Sequence, residues 1–262
     1  MAERGITDVC LTPHLRAQEA ANAPPERHDA AFAALRTEAP ELPRLHRGAE
    51  VMLDRPLPLG GDHMRRITLG GTRYLLVEFP RMVSVDAVTN ALIRVREAGL
   101  TSVLAHPERY SCCSVENVSF WRGLGARMQV DATTLHSPQA RGQRARQLVA
   151  AGLADILAGD NHGDERTVAA GADFLRAQDG HEHAELLTVQ NPGAILRDEP
   201  LADVPPLVIA RAIPIRLEVM AVATSLLVVL SVHMFPALRG TTSRYGFHTY
   251  APSNPLICNC VR

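Results

Sequence analysis

Six side chains that could bind a metal ion lie near the ends of short apolar runs of this sequence. They are His14, Glu50, Glu78, His106, Asp160 and His162. A carboxylate at the buried end of a strand is costly unless hydrogen bonds or a cation compensate its charge. Mixed imidazole and carboxylate ligands suit Mn²⁺, Fe²⁺ or Zn²⁺ better than Ca²⁺ or a thiolate site. Any one of these residues could be an ordinary surface or hydrogen-bonded side chain, but their repetition predicts a multinuclear metal site.

Two arginines lie close in sequence to these residues and could bind an anion beside the metals. Arg109 comes three residues after His106, and Arg166 comes four residues after His162. A guanidinium group can donate two parallel hydrogen bonds to a pair of phosphate oxygens. Metals together with Arg109 therefore predict a phosphate site, with Arg166 as the second candidate. A structural salt bridge is the alternative role for Arg109.

The segment from Cys10 to Arg16 matches the bare C-x5-R pattern of cysteine-dependent tyrosine phosphatases. That loop binds phosphate through consecutive backbone N–H groups and usually contains glycines. Here Pro13 lacks an N–H group, no glycine is present, and Cys10 falls inside an apolar run. Cys10 is therefore predicted to be a small core residue rather than a catalytic thiolate. Cys258 and Cys260 have no second cysteine pair nearby, which argues against a metal site there.

The elements that must position these side chains alternate over most of the chain. Apolar runs predict buried parallel strands at 6–11, 47–52, 73–79, 101–105, 127–131 and 154–158. Amphipathic segments predict helices at 25–36, 84–98, 140–151 and 165–178. This alternation predicts an α/β protein, with a closed or nearly closed barrel as the favoured form. In such a barrel the carboxyl ends of the strands converge on one face, which would bring the six ligands together.

Composition limits the chemistry further. All 27 basic residues are arginine, so there is no lysine for a Schiff base or a Walker-type phosphate loop. With 28 acidic residues the net charge is −1, which gives no overall field that would attract nucleic acid. Five cysteines, an odd number, and a start without a signal peptide predict a reducing, cytoplasmic location.

The last part of the sequence differs from the rest. Residues 1–205 contain 22 arginines and 27 acids, whereas residues 206–262 contain 5 arginines and one acid. An apolar stretch at 217–235 has arginines on both sides, but its uninterrupted core is shorter than the roughly 20 residues that a membrane span needs. We therefore predict a domain boundary near residue 205. The extension at 206–262 is predicted to contact a membrane, to form a buried helix or to be poorly structured.

Seven segments resemble, in order, the PHP (polymerase and histidinol phosphatase) superfamily over about residues 1–201. They are ITDVCLTPH, HRGAEV, RYLLVEFP, GLTSVLAHPERY, MQVDATTL, AGLADILAGDNH and VQNPGAILRDEPL. YLLVEFP followed by HPER is most similar to the manganese-dependent bacterial tyrosine-protein phosphatases of capsule and exopolysaccharide gene clusters. The resemblance implies a (β/α)7-like barrel that holds up to three metal ions, with Mn²⁺ expected and Fe²⁺ or Zn²⁺ as alternatives. It also implies hydrolysis of phosphotyrosine on a partner tyrosine autokinase.

Carried over by motif, the six residues named above would be the metal ligands, and Arg109 and Arg166 would bind the phosphate. The sequence departs from the family pattern because no His-x-His pair precedes His14. We therefore expect the barrel to be incomplete at its N-terminus and to be followed by an unrelated extension. Two other functions stay open at this point. One is a small-molecule phosphatase of the histidinol-phosphate type, and the other is a truncated, non-catalytic remnant that only binds a partner.

Overall fold

Six parallel strands form the sheet that carries the predicted site in the computed structural model, which describes residues 2–22, 26–39, 41–58, 62–210 and 258–261. The strands along the chain are β1 (Asp8–Leu11), β2 (His14–Arg16), β3 (Arg44–Arg47), β4 (Glu50–Met52), β5 (Tyr74–Glu78), β6 (Thr101–Ala105), β7 (Arg127–Asp131), β8 (Ile156–Ala158) and β9 (Cys258–Val261). The main sheet has the order β2-β4-β5-β6-β7-β8. A second sheet has the order β3-β1-β9, with β3 parallel and β9 antiparallel to β1.

This arrangement confirms the predicted α/β class with parallel strands. From β4 onwards, each strand of the main sheet lies next to the strand that follows it in the chain, which is the order found in the wall of a barrel. Within the described ranges, β2 and β8 are the two edges of this sheet. Closure into the predicted seven-stranded barrel therefore stays a prediction.

The predicted single strand at 47–52 is wrong, because the chain changes sheets there. β3 ends at Arg47 and β4 begins at Glu50. A Cβ atom on Gly48 would lie 3.1 Å from the Leu69 side chain and 3.2 Å from that of Cys10. Only a glycine allows the backbone to pass this close without displacing its neighbours. The chain also changes sheets between β1, which ends at Leu11, and β2, which begins at His14. Pro13 lies between these strands and has no N–H group to donate to a neighbouring strand.

Helices follow most strands of the main sheet and cover it with their apolar sides. They are α1 (Glu26–Glu38), α2 (Val85–Glu97), α3 (Val115–Gly123), α4 (Ala140–Ala150), α5 (Val168–Ala177), α6 (His181–Glu185) and α7 (Asn191–Leu196), with a π-helical turn at Leu186–Gln190. In α2, the buried residues Val88, Leu92 and Val95 recur at helical spacing, and the Ser84 side chain accepts a hydrogen bond from the Ala87 amide at 3.2 Å.

A buried carboxylate ties the amino ends of β7 and β8 to helix α3. The Asp155 side chain is fully buried and accepts hydrogen bonds from the Met128 amide at 2.8 Å and from Arg122 at 2.9 and 3.2 Å. Arg127 lies 3.3 Å from the same carboxylate. Because both charge and hydrogen bonds are compensated, this group can be buried at the end of the sheet opposite the predicted site.

The C-terminal extension was predicted to begin near residue 205, and that boundary stays a prediction. Among the described residues, one compact unit contains those up to Ala210 together with β9. Residues 211–257 lie outside the described residues, and with them the apolar stretch at 217–235. None of the helices in the described ranges is long and apolar enough to span a membrane.

Candidate metal centre

The strand breaks described above place two predicted ligands at the start of neighbouring strands. His14 begins β2 and Glu50 begins β4, and the two residues are register partners in the parallel ladder. Glu78 ends β5, where its register partner is Met52 of β4. His106 directly follows β6, and Asp160 follows β8 after Gly159. The main sheet therefore brings five of the six predicted ligands together, with Glu78, His106 and Asp160 at the carboxyl ends of their strands and His14 and Glu50 at the first residues of theirs.

The imidazole and carboxylate groups of these residues lie close to one another. His14 Nε2 lies 3.6 Å from Glu50 Oε2 and 3.5 Å from Glu78 Oε1. His106 Nε2 lies 3.1 Å from Glu50 Oε1 and 3.7 Å from Glu78 Oε2. Two overlapping groups have ligand atoms within 4.8 Å of one another: His14, Glu50 and Glu78, and Glu50, His106 and Asp160. Glu50 belongs to both groups, so it would be a donor common to both if metals were bound.

Burial makes this concentration of acids costly without a cation. Glu50 and Asp160 are each 1 % exposed, and Glu50 Oε2 is buried without a hydrogen-bond partner. Burial, together with the charge of Glu50, raises the pKa of the Glu78 carboxyl to about 7. Three carboxyl groups in this space repel one another, and a divalent cation would remove that repulsion. The donor set and the unpartnered oxygen therefore fit a metal centre.

His106 and Glu50 form the buried pair at its middle. Burial favours the neutral imidazole, but the hydrogen bond with Glu50 and the negative charges of Glu50 and Glu108 together raise the pKa of His106 above its usual value. Burial also disfavours the Glu50 carboxylate, but the hydrogen bond and charge of His106 outweigh this and lower the pKa of Glu50. For the more exposed His14, burial lowers the pKa of the imidazole. His14 is therefore the more readily available neutral nitrogen ligand.

Two predicted ligands have strained backbones. His106 has φ 34° and Asp160 has φ 43°, both in the left-handed region that residues other than glycine rarely adopt. Such a conformation costs about 1–3 kcal/mol per residue and persists where the surrounding structure imposes it. Both residues lie just after the end of a strand, next to the other predicted ligands.

The predicted phosphate residue Arg109 is held by two carboxylates. Its Nη2 atom donates to Asp131 Oδ2 at 2.8 Å and also forms a short hydrogen bond to Asp160. Asp131 in turn accepts hydrogen bonds from the amide and hydroxyl groups of Thr133 at 2.9 and 2.7 Å. Burial raises the pKa of Asp131, but the bonds from Thr133 and Arg109 outweigh it and lower the pKa. Sequence reasoning missed Asp131, although it ends the 127–131 run as the other candidates end theirs.

His162 lies beside the centre rather than in either group of ligands. Its ring centroid is 5.9 Å from that of His14, and its Nδ1 atom is 2.9 Å from Arg166 Nη2. Arg166 also contacts Asp164 at 2.8 Å and lies 3.6 Å from Asp160. Arg166 therefore faces the same centre as Arg109. The roles predicted for these eight residues, as ligands or as phosphate contacts, stay predictions.

Cys10 has the environment of a core residue. It is 3 % exposed, and its thiol donates to the backbone oxygen of Arg47 at 3.4 Å. Burial raises the pKa of this thiol to about 12, so the thiolate form is not populated at neutral pH. The C-x5-R pattern therefore does not provide a nucleophile.

Comparison with known proteins gives three results. The family model for capsular polysaccharide synthesis proteins, CpsB/CapC, matches residues 1–197. Tyrosine-protein phosphatase CpsB from Streptococcus pneumoniae is 28% identical over 144 residues, which cover 50% of this chain and 59% of that protein. This chain thus matches about three fifths of the length of the curated relative.

The third result concerns the fold. A chain from crystal structures of YwqE from Bacillus subtilis and CpsB from Streptococcus pneumoniae, described as unique metal-dependent tyrosine phosphatases, matches with a TM-score of 0.60 and 22% identity. The match covers 80% of this chain and 88% of that chain. At this identity the likeness concerns the fold alone.

Proposed function

Since this chain belongs to the CpsB/CapC family of capsular polysaccharide synthesis proteins, we propose that it is a metal-dependent phosphatase that hydrolyses phosphotyrosine in a protein. The observation that carries the proposal is the cluster of imidazole and carboxylate groups on the main sheet. It combines two groups of metal-binding side chains with two arginines that face the same acids. That combination suits a substrate with an anionic phosphoryl group, because both the cations and the guanidinium groups attract its oxygens.

The residues that would hold the metals are His14, Glu50, Glu78, His106 and Asp160, with His162 at the side. Up to three Mn²⁺ ions are expected, and Fe²⁺ or Zn²⁺ are the alternatives that this donor set would also accept. Bound there, divalent metals polarise phosphoryl oxygens and lower the pKa of a water molecule to roughly 7. The unpartnered Glu50 oxygen and the mutual repulsion of the acids support this assignment.

The protein's own contribution is to bind and orient the phosphoryl group. Arg109 keeps a fixed position because Asp131 and Asp160 hold Nη2, while its Nε atom is buried without a hydrogen-bond partner. Arg166 approaches the centre from the side of His162. Two guanidinium groups in this arrangement can neutralise the charge that develops on the phosphoryl oxygens. No nucleophilic side chain is required, in agreement with the buried Cys10 thiol.

The proposed substrate is a phosphotyrosine protein, a bacterial tyrosine autokinase that regulates capsular or exopolysaccharide synthesis. This part of the proposal rests on the family and on the phosphatase named among its relatives. A cytoplasmic location belongs to the same proposal, and free thiols at Cys10, Cys112 and Cys113 agree with a reducing compartment. Contact with a membrane through 217–235 and a domain boundary near residue 205 also remain part of the proposal.

The test is hydrolysis of a phosphotyrosine peptide by the full chain with added Mn²⁺. We expect phosphate release that EDTA abolishes, and a fall of about 100-fold or more in kcat/KM for Arg109→Ala and for His106→Ala. Glu97→Gln, an exposed residue on α2, serves as the matched control and should keep the wild-type rate. Histidinol phosphate is the competing substrate. Turnover of it alone, or no turnover by a chain that has bound metal, would overturn the proposal.

A further inference from the structure

A cavity beside the metal centre is lined almost entirely by arginine. Its volume is about 360 Å³, and its lining residues are Arg81, Arg109, Arg141, Arg144, Arg166, Asp160 and His162. Five guanidinium groups and a single carboxylate therefore meet in one place, in a chain whose net charge is −1. Such a local excess of positive charge attracts anionic groups.

Only two of these five arginines are neutralised by carboxylates in the described part of the chain. Arg109 is paired with Asp131 and Asp160, and Arg166 is paired with Asp164. No described carboxylate lies within 4.0 Å of the guanidinium groups of Arg81, Arg141 or Arg144. Arg109 and Arg166 are thus compensated, whereas the other three arginines of the cavity have charge available for a ligand.

Of the three uncompensated arginines, one lies in a turn and two lie on a helix. Arg81 comes three residues after Glu78, and its backbone oxygen accepts a hydrogen bond from the Ser111 amide at 2.8 Å. Arg141 and Arg144 are three residues apart in the first turns of α4, which places them on the same side of the helix. Arg144 Nε donates to the backbone oxygen of Glu108 at 2.8 Å, next to the predicted phosphate residue. This bond holds α4 against the loop that carries the site.

We propose that Arg81, Arg141 and Arg144 form a second anion subsite, which binds acidic groups that flank the phosphotyrosine of a peptide substrate. This inference rests on the proposed phosphatase function and narrows its substrate class. A phosphoryl group bound at the metal centre would leave its neighbouring residues next to this cavity. Carboxylates or a second phosphate on those residues would be bound by the same guanidinium chemistry. Neutral flanking residues would add no affinity at this subsite.

The kinetic test compares three peptides of one sequence that differ only at the positions flanking the phosphotyrosine: glutamine, glutamate, or a second phosphotyrosine. The full chain with Mn²⁺ is compared with the double variant Arg81→Gln/Arg141→Gln, both exposed positions. Arg36→Gln on α1 is a matched control, because it is exposed and does not line the cavity. We expect the wild type and Arg36→Gln to favour the glutamate peptide over the glutamine peptide by about tenfold in kcat/KM at low salt.

The double variant should reduce that preference to about twofold or less. An unchanged preference in the double variant, or no preference in the wild type, would overturn the subsite. If the doubly phosphorylated peptide raises kcat/KM more than the glutamate peptide does, phosphate is the favoured flanking group. If the two peptides raise kcat/KM equally, carboxylates are sufficient, and either result supports the subsite.

Binding separates this inference from the proposed function. Fluorescence anisotropy measures the affinity of the same peptides carrying a non-hydrolysable phosphonate in place of the central phosphate. If the wild type binds the glutamate peptide more tightly and the double variant loses the difference, the subsite is supported even in a chain that hydrolyses nothing. Equal binding of the glutamate and glutamine peptides by the wild type would overturn it, even in an active phosphatase.

Discussion

Asp131 links the fold to the proposed phosphate contact, and Asp131→Asn tests that link. Its side chain is 3 % exposed and accepts three hydrogen bonds, from Arg109 at 2.8 Å and from the amide and hydroxyl of Thr133. Asparagine keeps the shape and one carbonyl oxygen, so both bonds from Thr133 can persist. It removes the negative charge opposite Arg109 and can place an amide donor against a guanidinium donor.

The size of the effect follows from these contacts. A hydrogen bond between charged groups contributes about 1.5–3 kcal/mol to stability, and Arg109 retains only Asp160 as a charged partner in the variant. We expect Asp131→Asn to lower the free energy of unfolding by about 2 kcal/mol. Since a loss of 1.4 kcal/mol corresponds to a factor of ten, a misplaced Arg109 should raise KM for a phosphotyrosine peptide about tenfold, with a smaller change in kcat.

Urea unfolding and steady-state kinetics measure these two effects separately. Asp173→Asn is the matched control, because Asp173 is exposed and pairs with Arg176 at 3.1 Å on a helix surface. That pair should contribute less than about 0.5 kcal/mol and should not affect KM. A purely structural role for Asp131 would lower stability and leave KM unchanged. Wild-type stability together with wild-type KM would refute the reasoning altogether.

Three further predictions concern groups outside the proposed centre. Asp155→Ala should lower the free energy of unfolding by about 3 kcal/mol in urea, because it removes the charged partner of the half-buried Arg122 and leaves the buried Met128 amide without its acceptor; a loss below about 1 kcal/mol would contradict this. Cys10→Ala should keep metal-dependent hydrolysis within about twofold of the wild type, since the thiol is not ionised; loss of activity in a folded variant would restore the cysteine mechanism. The hydrogen bonds from Arg44 hold the pKa of Asp8 far below its usual range despite partial burial. Its stabilisation is therefore present above about pH 4 and is lost as the pH falls further. Asp8→Asn should lower the free energy of unfolding by about 1 kcal/mol at pH 7 and should reduce the loss of stability at acid pH. A loss of stability at acid pH equal to that of the wild type would contradict this prediction.

Strands were predictable where local pattern and tertiary environment agree. The runs at 101–105 and 127–131 have the bounds of β6 and β7, because each is buried along nearly its whole length and ends at a turn. The prediction of one strand at 47–52 was wrong, because the division of this run between two sheets depends on contacts of Gly48 with residues far away in sequence. Helix α3 was not predicted, although its Ser114 cap, which accepts from the Asn117 amide at 3.1 Å, is a readable signal.

The site was predictable to the extent that strand ends determine it. Glu78, His106 and Asp160 lie at or just after the carboxyl ends of parallel strands, as the pattern predicts, whereas His14 and Glu50 begin β2 and β4. Sequence position could not show that Arg109 is shared between two acids, since this depends on the direction of a side chain beyond the end of β6. It also could not reveal the arginine cavity, whose members come from separate loops and a helix.

Metal binding by the full chain tests the central claim most directly. Isothermal titration with Mn²⁺, with metal content checked by elemental analysis, should show more than one ion per chain in the wild type. Glu50→Gln, which alters the ligand common to both groups, should weaken the affinity by about 100-fold, whereas the exposed Glu97→Gln should leave it unchanged. No bound Mn²⁺ in the folded wild type, or equal affinities for the wild type and Glu50→Gln, would contradict the account.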